Sequence, residues 1–260
     1  MARYKVILAY DGTQYHGFQR QSHDHLGVQA STVQGVVESA LRQIGWRERS
    51  IFAAGRTDAG VHASGQVVVF DFEWNHSPQE LRAALDTKLP SDVSALSAER
   101  VNDDFHPRYD AKARHYRYHL YCQEARDPLR DRFAWKVWPS LDIETLNRAA
   151  AHLCGTHDFS AFGTPPKIGG STVRSITVAN WHTNFVAGVP SSGDHSDIYF
   201  EIVANAFLYR MVRRLVYIQV AIGQGRLEEK DLSEYLILPP KTVVQGLAPA
   251  QGLTLVGVEY

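Results

Sequence analysis

The chain reads as an α+β protein made of two ferredoxin-like β-α-β-β-α-β halves, merged into one mostly antiparallel sheet with helices on one face. Three observations predict this. Short alternating runs recur as strands, and apolar stripes at helical spacing follow capping signals. The same order of elements is then met twice, over 1–107 and again over 108–260, with no repeat of the sequence itself.

Residues 3–10 alternate in the period of two that a half-buried strand needs. Ser31-Thr32-Val33-Gln34 resembles a capping box. Val33, Val36, Val37, Ala40, Leu41 and Ile44 follow at helical spacing, and Gly45 supplies the stop. Short strands are expected over 50–54 and 66–72. Ser77-Pro78-Gln79-Glu80 is a second capping box with proline at the first helical position, opening a helix that carries Leu81, Ala84 and Leu85 inward. Residues 93–101 read as the strand that closes the first half.

In the second half a strand is expected over 114–122, with an extra one over 133–138. A helix over 143–154 buries Ile143, Leu146, Ala149, Ala150 and Leu153, and Gly155 ends it. Residues 173–182 and 198–204 read as paired strands around a polar loop, 188–197. Phe207, Leu208, Met211, Val212, Leu215, Ile218 and Ile222 make a helical stripe. A short helix over 230–236 and a strand over 253–258 follow.

Composition bounds the function classes. At 260 residues, 44% hydrophobic and 21% charged, the chain can bury a substantial core and is not a disordered one. The N-terminal MARYKVILAYDG alternates and has no signal-peptide apolar core, and no stretch is long enough to span a bilayer. Cys122 and Cys154 have no metal-like spacing. They read as packing thiols in a reducing cytoplasm, with a single disulfide as the alternative. The net charge of -1 hides an uneven distribution: residues 108–136 hold eight bases against four acids, and 205–226 hold four arginines and no acid. Charge of that kind suits either solvated faces or two basic surfaces.

The chemistry concentrates in residues 55–63, GRTDAGVHA, between the second and third strands. A hairpin needs only two to five residues there. This loop holds a carboxylate (Asp58), a guanidinium (Arg56), a hydroxyl and an imidazole, flanked by glycines that let backbone approach a ligand. On composition alone the commoner reading is a surface loop in which Asp58 makes an Asx-turn and pairs with Arg56. It is neither a P-loop nor a dinucleotide fingerprint.

GRTDAGVHA, followed by SGQVVVF, resembles the signature of the tRNA pseudouridine synthases that act on the anticodon arm. YDGTQYHGFQRQ at 10–21, FHPRYDAKARHYRYHLY at 105–121, HDFSAFG at 157–163, TVRSI at 172–176, NAFLYRMVRRLV at 205–216 and the final APAQGLTLVGVEY fall in the family's order. The resemblance implies that Asp58 is the catalytic nucleophile, that Arg213 of Met211-Val212-Arg213 pairs with it, and that Tyr116 packs against the target base. The residues themselves leave Tyr116 and Tyr118 equivalent, since both lie on one strand face. Arg56 competes locally with Arg213. The resemblance further implies uridine-to-pseudouridine isomerisation at positions 38, 39 and 40 of tRNA, no cofactor, and a homodimer that shares a tRNA cleft. Attack at C1′, attack at C6 and a glycal route all want an ionised carboxylate, which a nearby cation favours.

Arg20, Arg56, Arg108, Arg114, Arg117, Arg174, Arg210 and Arg214 are candidates for the RNA backbone, where guanidinium suits phosphate. His23, His25, His62, His106 and His115 lack ligand spacing, so no metal is expected. Tyr217 stands where the family usually has glycine. Two other classes compete. A non-catalytic RNA-binding sheet would need aromatic RNP strands, which GQVVVFDF imitates poorly, and a metal-dependent hydrolase would need ligand clusters.

Overall fold

The computed structural model describes residues 1–21, 31–184, 196–238 and 242–260, so His23, His25 and most of the expected 188–197 loop lie outside the described residues. The chain divides into two compact units, Met1–Lys112 with Thr254–Tyr260, and Ala113–Leu253. Both are α+β. No helix among the described residues is long and apolar enough to cross a membrane.

The first unit contains β1 (Ala2–Tyr10), α1 (Val33–Gln43), β2 (Phe52–Ala53), β3 (His62–Phe72), α2 (Pro78–Asp86) and β4 (Val93–Val101), joined by β10 (Leu253–Glu259). β1 lies between β4 and β3, antiparallel to both. The far edge of β3 is shared: β2 pairs antiparallel with Val68 and Val69, while β10 runs parallel beside His62 and Ala63. Alternation along β1 buries Tyr4, Val6, Leu8 and Tyr10 on one face. α1 sets Val33, Val37, Ala40 and Leu41 inward, and the buried Trp46 donates from its indole to Asp71 O at 3.0 Å.

The second unit contains β5 (Ala113–Cys122), β6 (Trp135–Val137), α3 (Ile143–Ala151), β7 (Gly155–Asp158), β8 (Val173–Asn184), β9 (Ser196–Ala204), α4 (Met211–Gly223) and α5 (Glu229–Ile237). Its strands run β5-β9-β8-β7, all antiparallel, with β6 parallel to the end of β5. α4 is apolar nearly all round and buried accordingly.

Several expectations need correction. The cap of α1 is Thr32, whose hydroxyl accepts from Gly35 N at 3.3 Å, so Ser31 and Gln34 form no capping box. β2 is two residues long, and β3 begins at His62 rather than 66, taking the end of the expected loop into the sheet. Phe207 and Leu208 precede the last long helix. Arg210 at its N-cap adopts a left-handed conformation (φ 63°), which stops the helix from extending backwards. α3 stops at Ala151, and Ile143 and Ala84 are only half-buried. Both cysteines are free thiols, but Cys154 is exposed rather than packed. The Ser77–Glu80 box and Pro78 stand as expected.

Candidate active site

In the first unit the loop from Gly55 to Val61 is held from beneath and from the side. Beneath it, the buried Tyr10 hydroxyl lies 2.8 Å from Thr57 Oγ1, and the buried Gln66 amide donates to Gly55 O at 3.1 Å. Burial pushes the Tyr10 hydroxyl up to about 12, with hydrogen bonds from Thr57 and Gln66 acting the other way. At the side, Phe18 N donates to Thr57 O (3.0 Å) and Gly60 N donates to Tyr15 O (3.3 Å), while Val61 N closes a turn on Asp58 O (3.2 Å). The YDGTQYHGFQRQ segment is therefore a brace for the loop.

Two glycines of that segment permit the contact. Gly17 has φ 96°, and a Cβ there would lie 2.8 Å from Thr57 O. A Cβ on Gly12 would lie 2.0 Å from Val61 O. Gly12 N donates to the buried His62 Nδ1 at 3.0 Å. Asp11 Oδ1 lies 3.2 Å from the same nitrogen, so His62 meets residues 11 and 12 at one point. His62 thus ties the start of β3 to residues 11–12. Tyr15 donates to Asp92 Oδ1 at 2.7 Å, and burial together with that carboxylate raises its hydroxyl well above the usual range. Asp58 is half-buried on this braced loop, and Arg56 is exposed two residues before it.

In the second unit, Tyr116 and Tyr118 share one face of β5 but differ in surroundings. Tyr118 is fully buried and donates to Pro249 O at 2.7 Å. Burial raises its hydroxyl far above the ordinary value, and the positive charge of Arg213 pulls it back. Tyr116 keeps 9% exposure, its ring edge-on to Phe207 at 5.1 Å. Arg213, in the first turn of α4, donates from Nε to Ala248 O (2.8 Å), and Ala248 N returns a bond to Arg213 O (3.2 Å). Arg213 and Tyr118 therefore grip the same 248–249 segment, and Tyr116 lies one pleat along from Tyr118.

The remaining arginines are placed variously. Arg20 Nη1 pairs with the buried Glu38 at 3.1 Å. Arg114 donates to Asn205 O at 2.7 Å, and Arg117 pairs with Glu201 at 3.0 Å. Arg174 folds onto the carbonyls of Ser171 and Val173, and burial lowers its pKa. Arg214 reaches the carbonyls of Phe162 and Tyr209. Arg108 and Arg210 lie over the rings of Tyr109 and Tyr209. Tyr217 is accommodated by stacking parallel to Trp135 (6.4 Å, 7°), with Gly246 leaving space for its ring. Among the described residues, no three His, Cys, Asp or Glu side chains converge as a metal site would need. The bracing residues Tyr10, Gly12, Gly17, Phe18 and Gln66 are not singled out by the sequence reading. Their signal is the glycine- and aromatic-rich 10–21 segment, whose partner across the fold is invisible in one dimension.

An α+β protein presenting a carboxylate on a braced loop is the class that these units define. A family model described as tRNA pseudouridine synthase matches residues 6–110 and 149–260. The chain is similar to the tRNA pseudouridine synthase A of Moorella thermoacetica, at 40% identity over 98% of each chain. It is also similar to the proteins of that name from Shouchella clausii, at 38% over 100% of this chain and 94% of the relative, and from Exiguobacterium sp., at 36% over 100% and 98%. The chain belongs to the tRNA pseudouridine synthase family.

Proposed function

We propose that this chain isomerises uridine to pseudouridine at positions 38, 39 and 40 of the tRNA anticodon arm, with Asp58 as the nucleophile. The observation that carries the reading is the rigid bracing of the loop in a chain of this family: a carboxylate that must meet one sugar–base unit needs its backbone fixed beforehand. The reaction breaks N1–C1′, turns the base and joins C5 to C1′. The C5 proton leaves and N1 gains one, so the atoms balance without an oxidant, a donor group or a cofactor.

The roles divide between the two halves, 1–107 and 108–260. Asp58 acts from the first. Arg213 acts from the second as its ion-pair partner, and Tyr116 offers a ring to the extruded base. Support for Tyr116 over Tyr118 is that Tyr118 is sealed in and bonded to Pro249 O, whereas Tyr116 retains exposure. Support for Arg213 is that its Nε bond to Ala248 O fixes the direction of the guanidinium. The enzyme works as a homodimer in the cytoplasm, on tRNA whose phosphates meet exposed arginines such as Arg56 and Arg210.

Asp58→Ala should bind tRNA with wild-type affinity and release no tritium from tRNA labelled at uracil C5. Mapping pseudouridine in treated tRNA should place it at 38–40. Tritium release at the wild-type rate from the variant would end the assignment of Asp58.

A further inference from the structure

We propose that Glu38 is a positioning residue for the Asp58 loop, acting through Gln34 and Arg20 on residues 15–20; this rests on the reading of Asp58 above. Glu38 is fully buried in α1. Its carboxylate is saturated. Oε1 accepts from Gln34 Nε2 (2.9 Å), Ser50 Oγ (3.1 Å) and Ile51 N (3.2 Å), while Oε2 meets Arg20 Nη1 (3.1 Å) and Arg42 Nη2 (3.5 Å).

A carboxylate accepts and cannot donate, so it turns the Gln34 amide in one direction only. Nε2 faces Glu38, and Oε1 is left for Arg20 N at 3.0 Å. Glu38 thus holds Arg20 twice, by its guanidinium directly and by its backbone through Gln34. Gln34 N also donates to Phe18 O at 2.9 Å, and Val33 N to Gly17 O at 3.3 Å. The segment so held is the one whose Phe18 N and Tyr15 O grip Thr57 and Gly60 on either side of Asp58. Between Tyr15 and Arg20 the chain has no helix or strand to hold its own shape, so its placement comes from these anchors. A buried charge is a poor device for stability alone, because an apolar replacement is often neutral or better. It is a good device for fixing one arrangement of donors.

This assigns Arg20 a different task from the RNA contact that its charge suggests, and the two can be separated. Glu38 is buried and out of reach of RNA. Under the proposal, Glu38→Gln and Arg20→Met each lower kcat by about ten- to a hundredfold at saturating tRNA, as a misplacement near 1 Å does. KM and its salt dependence stay within about twofold of wild type. The double variant loses no more than the worse single. Hydrogen exchange of residues 56–61 quickens in both, while the central part of β3 keeps its protection.

Three results would overturn the proposal. One is Arg20→Met raising KM and flattening the salt dependence while Glu38→Gln is silent. Another is both variants merely melting earlier with unchanged kcat well below the melt. The third is unchanged exchange in 56–61. Should Glu38→Gln not fold, Arg20→Met breaks the same link from the exposed end. If the wild-type protein itself releases no tritium, the reading of Asp58 fails, and the exchange comparison still decides what Glu38 holds.

Discussion

Removing one oxygen atom, with Tyr10→Phe, tests the floor beneath the candidate catalytic loop. The Tyr10 hydroxyl is buried, 2.8 Å from Thr57 Oγ1. Near neutral pH the variant leaves the Thr57 hydroxyl without that partner, which costs about 1–3 kcal/mol. Alkali changes the balance. Burial holds the folded phenol neutral up to about 12, against 10.0 in the unfolded chain. Below pH 10 both states carry the proton. Between 10 and 12 only the unfolded chain releases it, so stability falls as pH rises and the contribution is gone above the folded value. Two pH units correspond to a loss on the order of 3 kcal/mol. The wild type should therefore start more stable than Tyr10→Phe at pH 7–9 and lose that advantage by pH 12. Urea melts of both proteins across this range read the gap directly, and their difference cancels Tyr15 and Tyr118, which are also raised. A gap that stays constant from pH 9 to 12 would show that Tyr10 is not held as a buried neutral phenol.

Gly12→Ala would place a Cβ 2.0 Å from Val61 O, so backbone must shift by about 1.4 Å to reach an ordinary contact. The expected loss is on the order of a hundredfold in kcat, and a variant of wild-type kcat would refute the tight approach. Tyr116→Phe should keep kcat/KM near wild type while Tyr116→Ala loses it, because the proposed role uses the ring face; equal losses would point to the hydroxyl instead. Tyr118→Phe should lower stability by about 1 kcal/mol through its lost bond to Pro249 O, read by thermal melting with folded-state kcat compared alongside.

The order of elements was legible because each depends on local pattern: alternation in β1, the Ser77 box of α2, and the apolar stripe of α4. Boundaries were less so. β3 begins four residues early because β1 and β10 extend its ladder to His62 and Ala63, a tertiary cause with no local signal. The short β7 exists only as the partner of Val173–Ile176 in β8, and GTHD carries no strand pattern of its own. Arg210 sets the start of α4 through a backbone conformation that its side chain does not advertise. The loop around Asp58 was visible as an excess of chemistry over turning need. Its brace was not, because Gly12 and Gly17 matter for what their missing Cβ atoms would strike. Arg20 reads from sequence as an arginine for RNA, and the buried Glu38 that its guanidinium also meets has no signal in one dimension.

The edge that β3 shares between β2 and β10 constrains how the protein comes together. β10 meets His62 and Ala63 from about 190 residues further along the chain, one of the longest closures the fold contains. Such a pairing is entropically late, since everything between must first be gathered. Until then the stretch of β3 immediately after the Asp58 loop stands with one ladder open. Competence of the first unit thus waits on the arrival of a strand from the opposite end of the sequence. A short synthetic peptide of residues 253–260 would be the natural agent for occupying that place early.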